Sequence, residues 1–202
     1  MKTYYKFYPL TSKSYIKDVM KHKRLYMPTY RQLWTRNDQN EGKYLLSADI
    51  KQQLKKHIKA EKLKFRICCL TNKVLNAEMW RTFADNGRGI CFAVQPLERK
   101  VERYNVVYEN GLPKIRRRHF KLLSSEQIAT TILTHKVSSF SDENETRFLK
   151  KVTAVEKKVF LSVHIIKLYL GWNISADEEK EWRALAAKYA IHDIIKLQKP
   201  IL

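Results

Sequence analysis

Residues 77–94 read AEMWRTFADNGRGICFAV, a helical pattern, a glycine-flanked arginine and an unbroken apolar run. Asn76, just before them, stands where a helix needs a side-chain oxygen to cap its first free N–H groups. Met79 and Trp80 both lie within one turn of Phe83, so the three share a face of a helix running to Ala84. Asn86-Gly87 supply the left-handed residues that stop a helix, and Gly89 lets the chain turn tightly. Ile90–Val94 is apolar at every position, the pattern of a strand buried on both faces. That accounts for the glycines but not for Arg88 between them. An exposed arginine in a bend of backbone N–H groups has the form of a phosphate cradle, although no Gly-Lys-Ser/Thr follows. Trp80 and Met79 fit a core face more simply than a cofactor contact.

Working outward, helical and strand-like segments continue in both directions. Tyr4–Leu10 is aromatic-rich and alternating, which predicts a first strand. Thr11 or Ser12 can cap a helix whose apolar face is Ile16, Val19 and Met20, and Leu25–Met27 predicts a short strand before Pro28. Ser47 opens a predicted helix with Ile50, Leu54 and Ile58 at i+4 steps, beside the cationic row Lys51, Lys55, Lys59 and Lys62. Phe65–Leu70 has the pattern of a central strand, and Tyr104–Tyr108 is taken as a further buried one. Ser124–Gln127 and Ser175–Glu178 both have the form of a capping box, each followed by apolar residues at helical spacing. Residues 145–153 and 159–170 predict strands, and Ile191–Leu197 an edge strand. Without repeats or a low-complexity linker, the whole reads as one α+β domain, a mixed β-sheet with helices packed against it.

The chain has 202 residues, with 40 Lys+Arg against 20 Asp+Glu and a formal charge of +20. Of that excess, +14 falls in residues 1–100 and +6 in the remainder. Hydrophobic residues make up 44%, a globular and not a disordered composition. Such a charge predicts a polyanionic partner, nucleic acid above all, unless it is only a solvated basic surface. The row Lys51–Lys62 and the cluster Arg116, Arg117 and Arg118 are the candidate phosphate contacts, a sequence-blind mode of binding. The longest apolar stretch, Val159–Trp172, is interrupted by His164 and Lys167 and is too short to span a bilayer. With no apolar leader at the N-terminus and three cysteines (Cys68, Cys69, Cys91) in strand-like runs, a reducing, cytoplasmic setting is expected.

Glu143 and Glu145 are the chief candidates for chemistry. On a strand, both would point to one face, repel each other and so raise one pKa, as acid–base work needs. Arg147 continues that face and can hold one of them by a bidentate pair. The bland alternative is a surface ladder of alternating charge. Asp38 and Glu41 could join the pair around Mg²⁺ in a nuclease, though no spacing requires it. The six histidines are scattered, so no metal site is expected.

Several segments in order resemble the bacterial family catalogued as domain of unknown function 2971. They are Tyr5-Lys6-Phe7-Tyr8, Asn37-Asp38 with Glu41, Ile67-Cys68-Cys69-Leu70 and Met79-Trp80 with Phe83-Ala84-Asp85. Gly89-Ile90-Cys91-Phe92, Glu143-Asn144-Glu145-Thr146-Arg147 and Leu170-Gly171 complete the series. Gln39-Asn40 stands where that family usually has Pro-Phe, and Phe83 where it usually has tyrosine. The aromatic first strand, helix and late Glu-bearing strand are also similar to the order of ADP-ribosyltransferase-like folds. That likeness implies NAD as cofactor, Glu145 as the carboxylate steadying the ribosyl cation, and Glu143 orienting or activating the acceptor. It further implies Tyr5 or Lys6 against NAD and Trp80 or Phe83 near its rings, in a bacterial defence or toxin context. The first strand lacks the His or Arg usual in such enzymes. A basic binding protein without catalysis is the alternative.

Overall fold

The computed structural model describes residues 1–33, 39–98, 100–153 and 158–199. Its strands in chain order are β1 (Tyr4–Tyr8), β2 (Arg24–Tyr26), β3 (Leu45–Leu46), β4 (Phe65–Thr71), β5 (Ile90–Pro96) and β6 (Glu102–Asn105). They continue with β7 (Val107–Glu109), β8 (Lys114–Ile115), β9 (His135–Val137), β10 (Glu145–Lys151), β11 (Phe160–Leu170) and β12 (Ile194–Lys196). The helices are α1 (Lys13–His22), α2 (Gln52–Leu63), α3 (Ala77–Phe83), α4 (His119–Leu122), α5 (Ser125–Leu133) and α6 (Ala176–Lys188), with short 3-10 turns at Leu10–Ser12 and Ser138–Glu143.

The architecture is α+β in one domain. An eight-stranded sheet runs in the order β12-β11-β5-β1-β4-β10-β6, with β2 also on β11. It is antiparallel except where β11 and β12 run parallel. β1 sits in its middle, which explains why the alternating aromatics Tyr4 and Phe7 are both buried, on opposite faces. On one face, Ile16, Val19 and Met20 of α1 and Trp182 and Ala186 of α6 pack on Ile90, Phe92 and Leu168. The other face is covered in two halves. Trp80 and Ala84, in and just after α3, pack on Phe7 and Cys91, whereas Ala129 and Leu133 of α5 pack on Ile67 and Leu149.

β1 pairs with β5 along five residues, but with β4 only where Tyr5 faces Thr71. The sheet is therefore joined at a single point between these strands, under the gap between α3 and α5. Across that gap the Lys6 ammonium donates to the Cys69 carbonyl at 3.1 Å.

Both capping boxes form, and Asn76 accepts from the Met79 N–H. Four local expectations need correction. Tyr104–Tyr108 is not one buried strand: β6 and β7 are short, mostly exposed edge pieces broken at Val106. α2 begins at Gln52 rather than Ser47, and Ser12 caps α1 without a side-chain bond. β10 ends at Lys151.

Candidate active site

A cavity of about 400 Å³ opens where β1 and β4 part. Its walls are Tyr5, Lys6 and Phe7 of β1, Cys69, Leu70 and Thr71 of β4, and Met79, Thr82 and Phe83 of α3. Gln32, Leu33, Glu41, Lys136, Phe140, Glu143, Glu145 and Arg147 are its other described lining residues. The register places three of these in one row. Tyr5 is opposite Thr71 on one side, and Glu145 is opposite Thr71 on the other. Residues directly opposite on neighbouring strands share a face, so a Tyr–Thr–Glu row crosses the cavity floor.

Arg147 holds that floor together. It is fully buried, and all five of its N–H donors are used. Nε donates to Glu145 Oε1 at 2.9 Å, and Nη2 to Glu145 Oε2 at 3.2 Å. Nη1 and Nη2 take the two oxygens of Glu41 at 2.7 Å each, and Nη1 also reaches the Leu133 carbonyl at 2.6 Å. The guanidinium thus clamps two carboxylates, from the Glu41 turn and from β10, and ties them to the end of α5.

Glu143 and Glu145 do share the cavity, but not by strand alternation. Glu143 ends the 3-10 turn, and Asn144 takes a left-handed conformation at φ 46° before β10 begins. Asparagine is among the residues that tolerate that region, so the sharp reversal costs little there. It brings Glu143 Oε2 to 2.6 Å from Lys136 Nζ, which also lies 3.7 Å from Glu145 Oε2. The Glu145 N–H donates to the Tyr108 hydroxyl at 2.9 Å, and its carbonyl accepts from Val106 at 3.0 Å. The broken edge at β6–β7 is therefore what fixes the start of β10.

The two carboxyls are driven in opposite directions. Burial alone would raise Glu145, but the charges of Arg147 and Lys136, helped by a hydrogen bond from the Cys69 thiol, hold it down at about 2. For Glu143 burial wins over Lys136, and with the Glu145 charge beside it the carboxyl sits above its usual value. Burial disfavours the Lys136 ammonium, yet Glu145 and Glu143 outweigh that and keep its pKa raised. Burial also pushes the thiols up, Cys68 to about 11 and Cys69 and Cys91 well above the usual range, so no thiolate is prepared here.

Of the remaining sequence candidates, Tyr5 and Lys6 line the cavity and Phe83 joins them, whereas Trp80 and Arg88 do not. Trp80 is 1% exposed, stacks edge-on against Phe7 and donates to the Val74 carbonyl at 2.8 Å. It is a core residue that anchors α3 and so places Met79 and Phe83. Arg88 is held by the Glu178 carboxylate, with Nε 3.0 Å from Oε1. Glu178 is also the capping-box residue of α6, so the bend docks that helix instead of a phosphate. Its glycines serve the same contact. A Cβ on Gly171 would lie 2.1 Å from the Gly87 carbonyl, and one on Gly87 2.3 Å from the Trp172 ring.

Lys55 and Lys59 are exposed on α2 and Lys51 at its N-cap, as are Arg116, Arg117 and Arg118 beside α4. Both groups sit on one lobe, knit by Ile58, Ile115, Ile128 and Ile132. Lys62 departs from the row: it is buried, between the Tyr30 and Tyr44 rings. Asp38 lies outside the described residues. Among those described, no group of three His, Cys, Asp or Glu is placed to hold a metal ion, and Glu41, Glu143 and Glu145 are engaged by Arg147 and Lys136. No described helix is long and apolar enough to cross a membrane.

The sequence singled out neither Thr71 nor Lys136, placed Cys69 only in a strand, and paired Arg147 with Glu143 or Glu145 but not with Glu41. Thr71 and Cys69 are recognisable only from the register of β4, and Lys136 only once the 3-10 turn is known. Comparison with family models, curated proteins and solved structures finds no match to the chain.

Proposed function

We propose that the cavity binds a pyridine dinucleotide such as NAD and breaks its N-glycosidic bond, passing the ADP-ribosyl group to an acceptor. The observation that carries this reading is Glu145, a buried, ionised carboxylate fixed at the cavity floor in line with Tyr5 and Thr71. A glycosyl cation developing at the ribose carbon is stabilised by a carboxylate that needs no reorganisation to meet it. Arg147 supplies that preorganisation by donating to both oxygens and so fixing the carboxylate's orientation.

The rest of the wall suits such a substrate. Tyr5, Phe7, Met79, Phe83 and Phe140 offer apolar and aromatic surface for the nicotinamide ring, and Lys6 and Lys136 offer ammonium groups near a diphosphate. As the C–N bond breaks, its electron pair returns to the pyridinium nitrogen and neutral nicotinamide leaves. An acceptor O–H or N–H then attacks the ribose carbon and gives its proton to Glu143. That carboxyl's raised pKa brings it nearer to neutrality, where a general base works best. The looser likeness of the motif order to ADP-ribosyltransferase-like folds points the same way, whereas the resemblance to the domain of unknown function 2971 family implies no reaction.

The test is release of nicotinamide from NAD by the purified chain. Glu145→Gln should lower it by ~10²-fold or more while the near-UV circular dichroism is retained. No turnover by the wild type with any acceptor supplied, or undiminished turnover in the variant, overturns the reading.

A second reading rests on the exposed lobe. Lys51, Lys55, Lys59 and Arg116–Arg118 form a basic surface suited to a phosphate backbone. Salt-sensitive RNA or DNA binding that survives Glu145→Gln but is lost on neutralising Arg116–Arg118 would favour a binding module.

A further inference from the structure

A second hollow, about 410 Å³, lies on the other side of the Glu41-Gly42 turn from the first. Its lining includes Lys43, Lys55, Lys59 and Lys62, with Tyr30 and Tyr44 as aromatic walls, and no carboxylate among its described lining residues. Four lysines lining one concavity concentrate positive charge there, which a bound anion would offset. The deepest of them is built in. Lys62 is 4% exposed, with Nζ 4.5 Å from the Tyr30 ring centre and 4.6 Å from that of Tyr44. It donates to the Gly42 carbonyl at 2.5 Å, and Gly42 is the residue that lets that carbonyl approach. Gly42 has φ +64°, and a Cβ there would lie 2.8 Å from the Tyr30 ring. Burial, with Arg31 and Lys59 nearby and against the pull of the Glu41 carboxylate, lowers Lys62 to about 8.

We infer that this hollow is a binding site for a phosphoryl group, carried by a nucleotide whose base stacks on Tyr44 or Tyr30. The lysines at helix positions 55, 59 and 62 fall at i, i+4 and i+7 along α2, so one helix face presents them together to a compact anion, while Lys43 closes the site from the turn. That differs from a row spread along a polymer backbone, because Lys51 on the same helix edge is outside the lining. The inference is independent of the glycosyl-transfer reading, which concerns the other cavity.

Isothermal titration of the whole chain with pyrophosphate, ADP and adenosine tests it. Pyrophosphate and ADP should bind and adenosine should not. ADP tighter than pyrophosphate identifies a nucleotide site; equal affinity identifies a site for the phosphoryl group alone. The exposed pair Lys55→Gln/Lys59→Gln should weaken pyrophosphate roughly tenfold or more, and Lys51→Gln/Lys56→Gln, an equal charge loss outside the hollow, should not. Because both pairs are exposed, neither should disturb folding. No pyrophosphate binding at millimolar concentration, adenosine binding as well as ADP, or equal losses in the two double variants overturns the inference.

Discussion

Replacing Glu145 by glutamine removes one charge from the cavity floor while keeping the side chain's shape. In the folded chain this carboxyl is held at about 2 against an ordinary 4.5, a difference of some two and a half units. At 1.36 kcal/mol per unit, the ionised form stabilises the fold by about 3 kcal/mol, to order of magnitude. A carboxyl depressed on folding gives its full stabilisation above its unfolded value of 4.5 and loses it as the pH falls through 2. Urea unfolding at about pH 7 should therefore show Glu145→Gln roughly 3 kcal/mol less stable than wild type. The difference should shrink through the acid range, because the wild type then gives up what the variant never had. Glu143→Gln should behave differently. Burial holds Glu143 above its usual value, so its charge costs stability at neutral pH and the cost disappears as pH falls below the unfolded value. Its replacement should leave stability at about pH 7 unchanged or raise it by less than ~1 kcal/mol, because the lost bond to Lys136 only partly offsets the relieved burial. Equal losses for the two variants, or none for Glu145→Gln, would refute a floor preorganised by Arg147 and Lys136.

Gly171→Ala puts a methyl group 2.1 Å from the Gly87 carbonyl, so the crossing of the two backbones must open. A loss of 3 kcal/mol or more is expected in urea unfolding, as for other severe backbone clashes. Trp80→Ala removes a fully buried ring that holds α3 on β1, and should cost about 3–5 kcal/mol and lower nicotinamide release through displacement of Met79 and Phe83. Iodoacetamide at about pH 8 should leave Cys68 and Cys91 unmodified in the native protein and label them in urea, since only the thiolate reacts. Labelling of the native protein at either site, read by mass spectrometry, would contradict their burial.

Much of the sheet was legible because its central strands carry a pattern that needs no tertiary information. Ile67–Leu70 and Ile90–Val94 are apolar on both alternating sets, and both lie in strands buried on both faces. The caps at Asn76, Ser124 and Ser175 were equally readable, since the bond is made within four residues. What could not be read was register and polar partnership at long range. Glu145 meets Thr71 only through the pairing of β10 with β4, and Arg147 meets Glu41 across 106 positions of chain. Arg88 misled for a related reason: a local phosphate-loop form says nothing of the Glu178 carboxylate that already fills it. The edge at Tyr104–Tyr108 failed because aromatic and β-branched residues suit an exposed edge as well as a core.

The charge of the cavity and the charge of the chain make separate demands on a ligand. Among the described residues around the cavity, Lys6, Lys136 and Arg147 stand against Glu41, Glu143 and Glu145, three of each sign, although the chain as a whole carries +20. A nucleic acid backbone gains nothing from a balanced hollow and is repelled by its carboxylates. A pyridine dinucleotide, with a cationic ring at one end and a diphosphate in the middle, can use both signs at once. Salt separates the two modes. Binding of RNA or DNA to the exposed lobe should weaken steeply, with a log–log slope near −0.7 to −0.9 for each phosphate neutralised, whereas nicotinamide release should change little over the same range. Turnover that fell with salt as steeply as nucleic-acid binding would place the substrate on the surface lysines, and the carboxylates beneath β1 would then be a scaffold for Arg147 alone.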